Sequence, residues 1–139
     1  MTWLKADLAA TTKSCVLAYW HHARFSSGDH GSSTQMSTVW DVLYQANADV
    51  VVEGHDHNYE RFAPMTASGV RDDARGLRSF VVGTGGTGLR AFSTIQPNSE
   101  FRDNASFGVI KFDLSEGAYG WSFVTTKGTT LDSGSARCH

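Results

Sequence analysis

Five of the six histidines fall in two short segments, one holding His21, His22 and His30, the other His55 and His57. Each segment begins just beyond a run of mostly apolar residues, 14–20 in one case and 49–53 in the other, that reads as a buried strand. In open α/β sheets the rim outside the carboxyl ends of the strands is where ligands bind. If the two strands are neighbours, His21 or His22 and the His55/His57 pair converge on that rim. His55 and His57 flank Asp56, and on a strand continuation residues two apart face the same side, so both imidazoles would address one cluster. Gly54 permits a sharp turn and a close backbone approach. Neutral imidazole is the commonest metal-binding side chain, which makes metal binding the chemistry of this pattern. The plainer alternative is a set of polar loop histidines without a chemical role. Asp56, Asn58 and Glu60 are either supports for the histidines or solvated loop residues.

The elements that must position these residues follow from periodicity and turn chemistry. Thr2 is placed to cap a short helix whose Trp3, Leu4, Leu8 and Ala9 lie on neighbouring turns. Residues 14–20 predict a strand buried on both faces, and a loop runs from His21 to Ser33. Ser33 or Thr34 then opens a helix in which Met36, Val39, Trp40, Leu43 and Tyr44 recur at helical spacing, closed by Asn47. Residues 49–53 are a second buried strand, so strand, helix and strand form a βαβ unit with parallel pairing. Residues 64–76 are a polar loop and 79–82 a third strand. The glycine-rich stretch 83–88 reads as a turn near the rim. It has no P-loop lysine, which argues against nucleotide binding. Residues 107–114 and 119–126 alternate around the turn signal 115–117 and predict an antiparallel hairpin. Trp3, Trp40 and Trp121 stand at core-like spacing. With no repeat and no linker, residues 1–139 are expected to form one α/β domain.

Hydrophobic residues make up 40% of the chain and charged residues 19%, the balance of a globular domain and not of a disordered one. A net charge of −2 without a basic cluster speaks against a nucleic-acid partner. No apolar run approaches the ~20 residues that cross a bilayer, so no membrane partner is expected, and residues 1–7 lack the pattern of a signal peptide. Cys15 and Cys138 stand near opposite ends, either as a disulfide closing nearly the whole chain or as two unrelated thiols.

Residues 54–61, Gly-His-Asp-His-Asn-Tyr-Glu-Arg, resemble the G-H-x-H-x-Y-E-R signature of calcineurin-like metallophosphoesterases of the purple acid phosphatase branch. Residues 17–28 resemble the motif that precedes it, a strand ending in a ligand histidine. The resemblance implies that His21, His55 and His57 are metal ligands and that His30, nine residues after His21, contacts the substrate phosphate and protonates the leaving group. His22 would then face the substrate or support a ligand. The family pattern is His-x-Pro. Ala23 stands in the proline's place, which leaves His21 or His22 as the ligand.

The same resemblance implies a fold: an α/β chain, the carboxy-terminal half of a metallophosphoesterase β-sandwich with flanking helices and a mixed sheet. The activity implied is metal-dependent hydrolysis of phosphate esters, monoesters before diesters, by metal-bound hydroxide. Two ions (Zn, Mn or Fe, divalent or trivalent) about 3.5–4 Å apart would clamp the phosphate. The family's D-x-H or D-x-G, G-D-x-x-[DY] and G-N-H-[ED] motifs, which bring carboxylates and an asparagine, do not occur in these residues. A two-metal site would therefore need ligands from a second chain or from Asp29, Asp56 or Asp103, which favours a homo-oligomer. The alternative is a non-catalytic metal- or phosphate-binding fragment. A cysteine near the end is common in exported bacterial members, which implies a Cys15–Cys138 disulfide and an extracellular or periplasmic parent.

Overall fold

The computed structural model describes residues 1–139. Helix α1 (Thr2–Ala10) leads to strand β1 (Leu17–His22), and a short 3-10 turn (Thr34–Met36) runs into helix α2 (Ser37–Gln45). Strands β2 (Val50–Gly54), β3 (Tyr59–Phe62), β4 (Arg78–Val82) and β5 (Ser99–Asp103) complete a five-stranded sheet in the order β1-β2-β4-β3-β5. β1, β2 and β4 are parallel, whereas β3 pairs antiparallel with both β4 and β5. A second, antiparallel sheet contains β6 (Gly108–Ser115), β7 (Ala118–Thr125) and β8 (Thr130–Arg137). The mixed sheet, the flanking helices and the antiparallel unit bear out the expected α/β sandwich.

The central sheet is apolar on both faces because its strands alternate between two cores. Val51, Val81 and Phe62 pack with Trp40 and Leu43 of α2, while Val50, Phe80 and Tyr59 pack with Tyr119, Trp121 and Phe123 of β7. Tyr59 and Phe123 stack face to face with ring centroids 4.0 Å apart. Polar bonds lock the two sheets together. Buried Asp132 of β8 accepts from the Tyr59 hydroxyl at 2.7 Å, Arg61 Nε at 2.8 Å and the Trp121 indole at 3.2 Å.

Several expectations need correction. β1 is an edge strand, and Tyr19 is 80% exposed, so the strand is not buried on both faces; its one neighbour is β2. It also runs on through His21 and His22, which the sequence assigns to a loop. Thr2 is the first residue of α1 and makes no capping bond, no residue of that helix is buried, and Trp3 is 74% exposed. Strands β3 and β5 were not expected, because Glu60, Arg61 and Arg102 hide the alternation. β8 was not expected either. It is strand because it covers β7: a Cβ on Gly134 would sit 2.4 Å from the Trp121 ring, so the indole lies directly on the backbone of β8.

Of the two readings of the cysteines, the disulfide is the one present. Cys15 and Cys138, with Cα atoms 5.2 Å apart, tie the segment leading into β1 to the residue after β8. Buried Asp49 reinforces the seam by accepting from the backbone N–H groups of Val16 and His139, each at 2.8 Å. The bond spans 123 residues of sequence, and loops of that order stabilise by up to about 4–5 kcal/mol in the chain-entropy model. Urea unfolding with and without reductant is expected to show a loss of this order, at unchanged native circular dichroism.

Candidate metal centre

Parallel pairing of β1 with β2 sets their carboxyl ends side by side, with His22 in register with Gly54. His21 and His22 end β1, and His55 is the first residue beyond β2. Their ring nitrogens come together: one donor atom from each of His21, His22 and His55 lies within 4.8 Å of the others. His21 Nε2 and His55 Nδ1 are 3.1 Å apart, so one ring donates to the other. The His30 ring stacks on His55 at 4.1 Å between centroids. Burial, followed by the neighbouring His30, His22 and His21 rings, pushes the His55 imidazole below its ordinary pKa, which favours the neutral, lone-pair form that binds metal.

The turn that delivers His55 differs from the one expected. A Cβ on Gly54 would meet nothing closer than 3.7 Å, so no steric constraint requires glycine there. The sharp bend falls on His55 itself, whose φ of 70° is in the left-handed region that side-chain-bearing residues rarely adopt. The N–H of Asp56 bonds the Gly54 carbonyl and that of Asn58 bonds the Asp56 carbonyl, both at 2.9 Å, making two successive three-residue turns. The chain therefore does not continue as a strand, and His57 is not part of the close group. It lines, with His21 and His55, a cavity of about 400 Å³ floored by Gly83, Gly85 and Gly86. His57 Nδ1 lies 3.1 Å from the Gly88 carbonyl and donates to it, which leaves Nε2 as its free lone pair.

Asp56 and Glu60 are fully buried, not solvated, and both bind the loop after β1. Asp56 accepts from the Ser26 hydroxyl and, at 2.8 Å, from the His30 N–H. Glu60 accepts from the Ser27 N–H at 2.8 Å and from the Ser27 and Ser99 hydroxyls. The glycine-rich stretch gives clearance: a Cβ on Gly83 would lie 1.8 Å from the Asp56 carbonyl oxygen. Asp103 accepts from the Ala105 and Ser106 N–H groups, Asp29 is exposed, and neither they nor Asp56 joins the close group. The close group is thus all imidazole.

Sequence reasoning missed Glu53, whose signal was a lone acid inside the run Val-Val-Val-Glu-Gly. It is 2% exposed beneath the site and accepts from the Arg24 N–H and the Ser79 hydroxyl, both at 2.8 Å, and from the Trp40 indole at 3.2 Å. Burial outweighs these donors and pushes its carboxyl from 4.5 up to about 7. The folded state therefore binds a proton that the unfolded state has released. Stability from this group is full below pH 4.5 and is lost as pH rises through about 7. Glu53→Gln is expected to flatten the pH dependence of the urea midpoint over that window; an unchanged slope would assign it to other groups.

No family model matches the chain. It is similar to purple acid phosphatase 21 of Arabidopsis thaliana, with 34% identity over 116 residues covering 76% of this chain and 26% of that protein. A stretch of 72 residues, 45% of the chain and 12% of the relative, is 39% identical to the probable inactive purple acid phosphatase 1 of the same plant. The solved structure of purple acid phosphatase PPD1 from yellow lupin (Lupinus luteus) seeds superposes with a TM-score of 0.82 at 21% identity, over 98% of this chain and 28% of that one. The chain therefore spans roughly a quarter of the length of purple acid phosphatase 21 and of the lupin protein. The lupin likeness establishes the fold, and the similarity to the plant sequences places the chain among the purple acid phosphatase-like metallophosphoesterases.

Proposed function

We propose that the histidine cluster is part of a metal centre for hydrolysis of phosphate esters, monoesters before diesters. The observation that carries the reading is the convergence of His21, His22 and His55 donor atoms within 4.8 Å. The donor set suits the group: imidazole ligands favour Zn or Fe over Mn among the family's metals. His21, His22 and His55 would hold one ion, and His57, across the same cavity, would address a second. Lewis-acid polarisation of a phosphoryl oxygen is the chemistry that a bound ion would supply. His30, held on His55 by stacking and through its N–H by Asp56, is placed to meet the phosphate. His22, expected to face the substrate or to support a ligand, stands within the close group beside His21 and His55.

A second reading, a metal- or phosphate-binding unit without turnover, is supported by the all-imidazole make-up of the group. Carboxylates are what commonly screen two closely spaced cations from each other. The free edge of β1, which carries His21 and His22, supports completion of the sheet and of the site by another chain or a second copy. The Cys15–Cys138 disulfide supports an extracellular or periplasmic setting.

Equilibrium dialysis against Zn²⁺ is expected to give bound ion at the histidines. His21→Ala combined with His55→Ala is expected to weaken binding beyond the roughly 10–100-fold effect of altering a ligand's support. A chain that binds no Zn²⁺ would contradict the hydrolase and the metal-binding unit alike, and would leave only a phosphate-binding unit. Turnover of 4-nitrophenyl phosphate, abolished in His55→Ala/His57→Ala, selects the hydrolase; absence of turnover with metal bound selects the binding unit.

A further inference from the structure

The glycine-rich stretch after β4 separates two cavities of opposite character. On one side lies the cavity that His21, His55 and His57 line. On the other lies a concavity of about 340 Å³ walled by Phe107, Val109 and Val124. Gly85 and Gly86 belong to the walls of both, so the two cavities meet along a ridge of bare backbone. A Cβ at either glycine would meet nothing within 4 Å, so packing does not call for glycine there. Gly86, at φ 148°, needs it for its backbone, whereas Gly85 has no positive φ. What glycine at 85 removes is a side chain that would stand between the cavities. The ridge is fixed against β6. Buried Thr84 donates its hydroxyl to the Gly108 carbonyl at 2.8 Å, and its own carbonyl accepts from the Gly108 N–H at 3.3 Å. Gly108 also lets β6 begin tight against β7, since a Cβ there would lie 2.5 Å from the Val124 carbonyl oxygen.

The second cavity is apolar and open. Val109 and Val124 oppose each other across the β6–β7 pair, and Val109 is 64% exposed, Phe107 39%. No charged side chain lines this cavity. A further hollow of about 290 Å³ continues it from Phe107 toward Leu131. Single exposed apolar side chains are ordinary on a protein surface, but several around one concavity mark a place where something binds. We propose that this trough holds the apolar alcohol portion of a substrate whose phosphate sits at the histidines. The substrate class is then phosphate esters of alkyl or aryl alcohols, in preference to esters of sugars and other polyhydroxy alcohols. Hydroxyl groups laid against Phe107 and the two valines would lose water without gaining partners. Continuity with the histidine cavity across Gly85 and Gly86 is what selects this occupant. The proposal rests on the reading of the cluster as a phosphate-ester site and adds to it the identity of the alcohol.

The test is a titration of the chain, with and without Zn²⁺, with methylphosphonate, hexylphosphonate and 1-hexanol, followed by methyl and imidazole NMR shifts. Hexylphosphonate is expected to bind about tenfold more tightly than methylphosphonate, the gain from burying two methylenes. Both phosphonates are expected to shift the histidines, and hexylphosphonate alone the Val109 and Val124 methyl groups. Val109→Ser/Val124→Ser is expected to bind the two phosphonates alike, and Val109→Leu to keep the preference. Val109→Ser alone, at an exposed position, is expected to lose part of it, and an unchanged amide spectrum elsewhere confirms the fold. A preference absent from wild type, or unchanged in these serine variants, overturns the proposal, while histidine shifts keep the phosphate reading. Hexanol shifts in the trough with no phosphonate shift at the histidines remove the phosphate-ester reading, and the substrate assignment with it. A dimeric wild type made monomeric by Val109→Ser assigns the trough to a second copy and overturns the proposal as well.

Discussion

Two buried carboxylates, Asp56 and Glu60, hold the loop between β1 and α2 against the turn that follows β2, and the geometry of the site depends on that clasp. An ionised carboxylate out of water is costly unless donors surround it. Here Ser26, Ser27, Ser99 and the His30 N–H supply them. Asp56 and Glu60 accept in every one of these bonds. Loosening the loop would therefore leave their buried oxygens without donors. Rigidity of this kind is what a cluster of imidazoles needs, because ring nitrogens aimed at a common point are held there only if their backbones are. The strained φ of His55 belongs to the same constraint, with Asp56 pinned on one side and the β2 pairing on the other.

The clasp works because the sheet beneath it is anchored on both faces. α2 covers one side through Trp40, whose indole also reaches Glu53 under the site, while β7 covers the other. Asp132 of β8 fastens Arg61 of β3 across the sandwich, while Glu100 of β5 ties Arg61 and Arg78 to each other within the central sheet. The Cys15–Cys138 bond joins the first strand to the last, so β1, with a single neighbouring strand, is tied down at its start as well as along its length.

Much of this was legible in the sequence where a period was clean. The parallel βαβ unit followed from two apolar runs around a helical stripe, and the hairpin of β6 and β7 from alternation about a turn signal. Convergence of His21 or His22 with His55 followed from parallel pairing alone. What was hidden has specific causes. β3 is written in the letters of a motif, and its Glu60 and Arg61 read as solvent-facing although one is buried and the other is ion-paired between sheets. β8 contains small polar residues because a tryptophan lies on it, so its sequence carries no apolar signal. His57 left the close group because the bend falls on His55, a backbone conformation that residue type does not announce. Arg90, whose Nη1 lies 2.8 Å from His30 Nε2, is held there by the bond of its backbone N–H to the His57 carbonyl, a contact across 33 residues that no local pattern encodes.

The central claim, that imidazoles from the ends of two parallel strands form a metal site, is tested most directly by X-ray absorption at the zinc edge of the Zn²⁺-loaded chain. The account predicts imidazole scattering from at least two histidines at about 2.0–2.1 Å. That signal should diminish in His55→Ala. A shell of oxygen scatterers alone, unchanged by the substitution, would contradict it.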